Sequence, residues 1–266
     1  MSRGLASALC CGLLLMFSSA SLADVHPPRK LRHAVFHMPP WSMQENQQFI
    51  GAHIEIIREL ASRLSTELEW IDCPIDRCQV LLESGEADIV IGLRPTNIRE
   101  RYLRYLNPPF LQRGYPKVFY LRREGEQALN QYQDLYRYRI GVVRGSKLFD
   151  QFDQDRKLQI DYAEDVESNF RKLLLGRIDV VAVPEGRGEY ALRSLNIRDR
   201  VQKAGFRVKD NTPRRIAISQ RSPWHEHLSL LEKTLAEMVR EKRIERIIEQ
   251  HYLQPYGIAR DAISLR

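Results

Sequence analysis

Cysteine and histidine have the widest chemical reach of the side chains in this sequence, and their spacing limits what they can do. Cys73 and Cys78 stand in Trp70-Ile71-Asp72-Cys73-Pro74-Ile75-Asp76-Arg77-Cys78. A zinc site needs four ligands, and two thiols with no nearby histidine do not supply them. A redox pair is more often Cys-x-x-Cys, so a disulfide closing a short loop in an oxidising compartment is the favoured reading. His33 and His37 share one face of an early strand, and His225-Glu226-His227 precedes a C-terminal helix. Neither set offers a third ligand, and no metal is expected. No Ser/His/Asp or Cys/His constellation for nucleophilic catalysis is visible.

The compartment is read from the N-terminus. Residues 5–17 form a 13-residue apolar run after Arg3, and Ser21-Leu22-Ala23 puts small residues at the −3 and −1 positions of a cleavage site before Asp24. This pattern predicts a secretory signal peptide over residues 1–23 and a periplasmic mature protein. An uncleaved anchor is the alternative, but the run is shorter than the roughly 20 apolar residues that span a bilayer. The 266 residues carry 41 Lys+Arg against 34 Asp+Glu, a net charge of +7, with basic residues scattered in short pairs such as Arg122-Arg123. Nucleic-acid binders concentrate basic residues on one face and interleave aromatics, so no nucleic-acid partner is expected. A chain that is 43% hydrophobic and 28% charged is neither disordered nor fibrous.

The elements that would position a site read as short apolar strands alternating with amphipathic helices, an α/β pattern. Strands are predicted at residues 31–38, 89–92, 117–121, 139–143, 178–183 and 215–219. A helix is predicted over 52–64, with Ile54, Ile57, Leu60, Ala61 and Leu64 on one face, and a long one after Pro223. Residues 81–90 resemble residues 173–181: in each a helix end is followed by a glycine, then an aspartate opening a buried strand. Gly85 and Gly176 lie 91 residues apart, too far for a solenoid repeat, which points to two similarly built lobes. Ligands of open α/β sheets bind beyond the carboxyl ends of the strands, so the lobes would face each other across a cleft.

Several segments carry a resemblance to a known family. They are Pro39-Pro40-Trp41, Gly51-Ala52-His53-Ile54-Glu55-Ile56, Ser84-Gly85-Glu86-Ala87-Asp88-Ile89-Val90-Ile91-Gly92, Thr96 with Arg99, Asn107-Pro108-Pro109-Phe110, Ile140-Gly141-Val142-Val143-Arg144-Gly145-Ser146 and Gly176-Arg177-Ile178-Asp179-Val180-Val181. In order and spacing they resemble the family 3 periplasmic solute-binding proteins of polar amino-acid ABC transporters, from about Leu31 to Leu253. The resemblance implies a two-lobed periplasmic binding protein fold of type II with a ligand cleft between the lobes. Lobe 1 would take residues 24–111 and 213–256, lobe 2 residues 112–212, with a tail at 257–266 and crossings near 111–115 and 209–215. It further implies hinge closure on a small carboxylate-bearing solute and delivery to an ABC transporter membrane permease, by a monomer without a cofactor.

Site residues follow from the same resemblance. Arg99 matches the arginine that binds the ligand α-carboxylate, a role a guanidinium fork suits. Trp41 matches the aromatic that packs over the ligand, with a place in the lobe 1 core as the alternative. Ile75 falls where a second aromatic is common. Gly92 and Arg94 match positions that present a backbone carbonyl and a Ser or Thr hydroxyl. Ser146 matches a small hydroxyl residue, and Lys147 follows where threonine is common. The aspartate that takes the ligand ammonium is replaced by Pro184, leaving the adjacent Glu185 as a substitute. Arg94, Arg99 and Lys147 against at most one acid make a positive pocket, where an unpaired ammonium costs several kcal/mol. A dianionic acid, or a carboxylate without an amine, is therefore expected; an ordinary amino acid with Glu185 on its amine is the alternative. Two further readings stay open: a dehydratase acting on prephenate-like acids with Glu185 or His37 as acid or base, and a ligand-sensing partner of a receptor.

Overall fold

The structure, a computed structural model, describes residues 26–124 and 128–256. The expected signal peptide at 1–23 and the tail at 257–266 lie outside the described residues. From the N-terminal side come β1 (Lys30–Val35), a small hairpin of β2 (Met43–Glu45) and β3 (Gln48–Ile50), and α1 (Ala52–Arg63). They are followed by β4 (Glu67–Asp72), α2 (Ile75–Ser84), β5 (Ile89–Ile91) and β6 (Leu103–Tyr105). The middle of the chain forms β7 (Lys117–Arg122), β8 (Arg139–Val143), α3 (Asp150–Gln154), β9 (Gln159–Ala163), α4 (Val166–Leu174), β10 (Val180–Pro184), α5 (Glu185–Ser194) and β11 (Val201–Val208). The last segment forms β12 (Ile216–Ser219), α6 (Leu228–Arg240) and α7 (Arg243–Ile248).

Two mixed five-stranded sheets result, ordered β4-β1-β5-β12-β6 and β11-β7-β10-β8-β9. Read from opposite ends they share one plan: three parallel strands, then one antiparallel to the central strand, then an edge. The central strands β5 and β10 are buried along both faces, which is why they appear in the sequence as unbroken apolar runs. β12 is the exception to chain order. It comes from beyond the second sheet yet pairs with β5, Ala217 opposite Val90, so the chain crosses between lobes twice. The two crossings run side by side: Leu111 and Arg214 form a bridge, and Gly114 N donates to Asp210 O at 3.1 Å.

Local chemistry fixes the elements nearest the cleft. Along α1, Ile54, Ile57, Leu60 and Ala61 are buried, and each large apolar side chain so covered contributes about 1.5–3 kcal/mol. α2 ends at Gly85 with φ 82°, and the turn after α4 uses Gly176 with φ 69°, a left-handed geometry that favours glycine. The Cys73–Cys78 disulfide ties the chain leaving β4 to the first turn of α2. β1 ends at Val35, short of the predicted 38, so His33 and His37 do not share a strand face. His33 is buried and His37 is exposed.

Candidate ligand cleft

The carboxyl ends of β1, β5, β8 and β10 converge on one cleft enclosing about 820 Å³ outside atoms, its open mouth included. Trp41, Ile75, Gly92, Arg94, Arg99, Ser146 and Lys147 all line it. Glu185 does not; Pro184 does.

Arg99 opens a single 3₁₀ turn whose first amide donates to Thr96 Oγ1 at 3.2 Å. The side chain is 3% exposed, and its fork is held at three points, each 2.9 Å away: Nε on Gln79 Oε1, Nη1 on Arg94 O and Nη2 on Gly145 O. No carboxylate within 4.0 Å pairs with it among the described residues, and burial lowers its pKa from the usual arginine value. Gln79 is a positioning residue that the sequence reading did not pick out. It sits one turn after Ile75 on α2, the helix the disulfide anchors, and also accepts from Tyr102 OH at 3.3 Å.

Trp41 is 5% exposed and stacks on two rings, His53 at 4.7 Å and Tyr252 at 3.9 Å between centroids. It is therefore a lobe 1 core residue with an edge in the cleft. His53, which also lines the cleft, is held neutral first by burial and then by the charges of His33, Arg214 and Arg187. Ile75 contributes an aliphatic wall. Ser146 Oγ donates to Val143 O at 2.6 Å, so its proton is used within its own turn. Lys147 is exposed at the rim.

Arg94 reaches across to lobe 2, where Nη1 donates to Asp150 Oδ1 at 2.8 Å, with Asp153 Oδ2 at 3.9 Å. Gly145, with φ +71°, lies so close to α2 that an added Cβ would sit 2.2 Å from Asp76 Oδ1. Together with the Arg99–Gly145 bond, these contacts bring the lobes together across the cleft.

The lobe 2 wall corrects one expectation. Pro184 ends β10, and Glu185 begins α5 with its carboxylate paired to Lys203, turned from the cleft. The one-residue step along a strand moves a side chain to the other face. Helix geometry then turns Arg187, about 200° further round from Glu185, into the cleft. Beside the crossings Lys117 and Arg214 share the single carboxylate of Asp210. Burial and the neighbouring Arg214 pull the Lys117 ammonium down to about 8, against the attraction of Asp210. The cleft wall thus carries Arg94, Arg99, Lys117, Lys147, Arg187 and Arg214, and no lining residue is acidic. Asp150 and Asp210, behind the lining, offset the charge of Arg94, Lys117 and Arg214, while Arg99, Lys147 and Arg187 have no ion pair among the described residues and leave the wall favourable to anions.

Two α/β lobes of one plan, joined by paired crossings around a cationic cleft, define a periplasmic-binding-protein fold. The chain belongs to the bacterial extracellular solute-binding proteins, family 3, which residues 33–254 match. The probable histidine-binding protein of Campylobacter jejuni is 20% identical over 147 residues, 55% of this chain and 56% of that protein; the chain thus spans about half the length of the curated relative it matches. Among solved structures, an ancestral arginine-binding protein bound to arginine aligns with a TM-score of 0.71 at 22% identity, covering 85% of this chain and 99% of the other. An ancestral amino acid-binding protein described as a precursor of cyclohexadienyl dehydratase aligns with a TM-score of 0.68 at 19% identity, covering 84% and 95%. At these identities the structures establish the fold.

Proposed function

We propose that this chain is a periplasmic substrate-binding protein that captures a small carboxylate-bearing solute by hinge closure and delivers it to an ABC transporter permease. The observation that carries this reading is the cleft wall of six cations and no acid, with Arg99 buried among them and lacking a carboxylate partner. A ligand carboxylate would dock on Arg99, where charge-assisted bonds to a guanidinium contribute about 1.5–3 kcal/mol each. Trp41 and Ile75 cover the ligand's apolar part. Closure would be stabilised by the ligand's contacts to both lobes, and the crossings bridged at Leu111 and Arg214 are the hinge.

The related proteins include arginine and histidine binders. A basic amino acid fits this cleft less well, because Glu185 is turned to Lys203 and the nearby carboxylates of Asp150, Asp153 and Asp210 lie against Arg94, Lys117 and Arg214. An acid with two anionic groups, or one without an amine, fits it better. The test is a thermal-shift screen of residues 24–266 without reductant, against amino acids, dicarboxylates, keto acids and prephenate-like acids. A ligand at 100 times its Kd adds about 2.7 kcal/mol, a shift of roughly 5–11 °C for a chain of this size. Shifts confined to acidic or amine-free members support the reading; shifts with arginine or histidine alone contradict it. Consumption of a shifting acid on standing would replace it with the dehydratase reading.

A further inference from the structure

We propose that Arg187 is the receptor for a second carboxylate, so that the solute is a small dicarboxylate held by Arg99 from lobe 1 and Arg187 from lobe 2. The inference rests on the carboxylate reading above and deepens it.

Arg187 is the buried cation of the cleft with the most unmet donors; Arg94 also leaves its Nε without a partner, but its Nη1 donates to Asp150. Arg187 is 6% exposed, and both its Nε and Nη2 are buried with no hydrogen-bond partner. Arg99 has its three bonds to neutral oxygens, Arg94 has Asp150, Lys117 and Arg214 share Asp210, and Lys147 stands at the rim in solvent. Buried donors in folded proteins are almost always satisfied, and a guanidinium stripped of water without a partner is costly. Arg187 is placed where a bound molecule would supply what the protein does not, for it lines the cleft.

The chain's own acids do not fill that role. Glu167 and Asp165 are the carboxylates whose charges reach Arg187, yet neither comes within 4.0 Å to form an ion pair. Asp165 is occupied as the N-cap of α4, accepting from Ser168 N at 2.6 Å. Glu167 keeps a buried oxygen of its own without a partner. Glu185 and Glu189, on the opposite side of α5, are both engaged by Lys203. Burial pulls the Arg187 pKa down to about 10, so the group is still cationic at neutral pH.

A carboxylate satisfies a guanidinium's donors and its charge together, whereas an amide oxygen satisfies donors alone. The experiment therefore uses acid/amide pairs of nearly equal size: L-glutamate with L-glutamine, L-aspartate with L-asparagine, and succinate with succinamate. Calorimetric titration of the wild-type mature protein is expected to show at least one acid binding tenfold or more tighter than its amide. In R187M that ratio should fall to near one, because the acid loses both charge and donors where the amide loses donors alone. R187K, which keeps the charge but not the fork, should give an intermediate ratio, and E167Q should leave the ratio in place. Amides binding as tightly as their acids in the wild-type protein would overturn the proposal, with no dependence on how any variant folds. So would an acid preference that survives R187M. A null result with every pair, acid and amide alike, would instead overturn the carboxylate reading on which the proposal stands.

Discussion

β5 and β10 hold the same place in their sheets, and each is introduced by an aspartate that accepts a backbone amide of the parallel strand beside it. Arg32 N donates to Asp88 Oδ2 at 2.8 Å, and Arg139 N to Asp179 Oδ2 at 2.9 Å. Up to that point the lobes are two copies of one solution to burying a central strand. Past the strand ends they part. Lobe 1 continues through Gly92 and Arg94 to an arginine whose donors are met by Gln79, Arg94 O and Gly145 O. Lobe 2 runs straight from Pro184 into α5 and presents an arginine with two donors unmet. The scaffold fixes where a binding group can stand, and the few residues after each strand decide what it offers. Here one arginine is pre-organised and the other is left for a ligand to satisfy.

The largest break in that contrast should come from Arg99→Met. Losing charge-assisted bonds to a buried carboxylate costs about 3–4 kcal/mol, so the Kd of the best acid should rise roughly 10²- to 10³-fold by calorimetry. Acid comes next and should act on lobe 1 first, since both buried neutral histidines, His33 and His53, lie there. Burial takes His33 down to about 3 and holds His53 well below 6.5. The unfolded chain protonates near 6.5, ahead of the folded one, so this stability is present above that pH and is lost as pH falls below it. His33 should cost about 2 kcal/mol between pH 7 and 5, and His53 should add to that loss. Urea midpoints would read the total, and hydrogen exchange should show lobe 1 amides losing protection before lobe 2 amides.

A smaller effect is expected from the paired change Cys73→Ser and Cys78→Ser. The six-residue loop corresponds to about 2 kcal/mol of closure entropy. Because the same segment carries Gln79 to Arg99, ligand affinity should fall several-fold as well as thermal stability. The smallest effect belongs to Asp150→Asn. Its pair with Arg94 crosses the lobes, but the Asp150 side chain is 75% exposed, and such pairs contribute about 0–1 kcal/mol. Affinity should change by less than about fivefold; a larger loss would make the pair part of the closure itself.

The legible parts of the fold were those that water patterns strongly. β5, β8, β10 and β12 are buried and appear as apolar runs, and the repeat around Gly85 and Gly176 exposed the common plan. The edge strands were not seen. β4 and β9 are half-exposed, β11 alternates buried with open positions, and β6 is three residues long, so charges interrupt each pattern. Of the site, Arg99, Trp41 and the turns at Gly92 and Ser146 came through resemblance, and all line the cleft. Glu185, offered as a substitute on the ligand's amine, lies at the change from strand to helix after Pro184 and pairs with Lys203, a turn that its adjacency to Pro184 hides. Arg187 and Gln79 were missed for the same kind of reason: the sequence places them on helices without saying which face meets the cleft. The signal for Arg187 was available only as an arginine three residues past Pro184, and periodicity in so short a helix does not orient it.

The most direct test is a crystal structure of residues 24–266 with whichever acid gives the largest thermal shift. The ligand should lie between the lobes with one carboxylate on the Arg99 guanidinium and its far end on Arg187. An acid bound by one lobe alone, or bound with no carboxylate on Arg99, would contradict capture between the two walls.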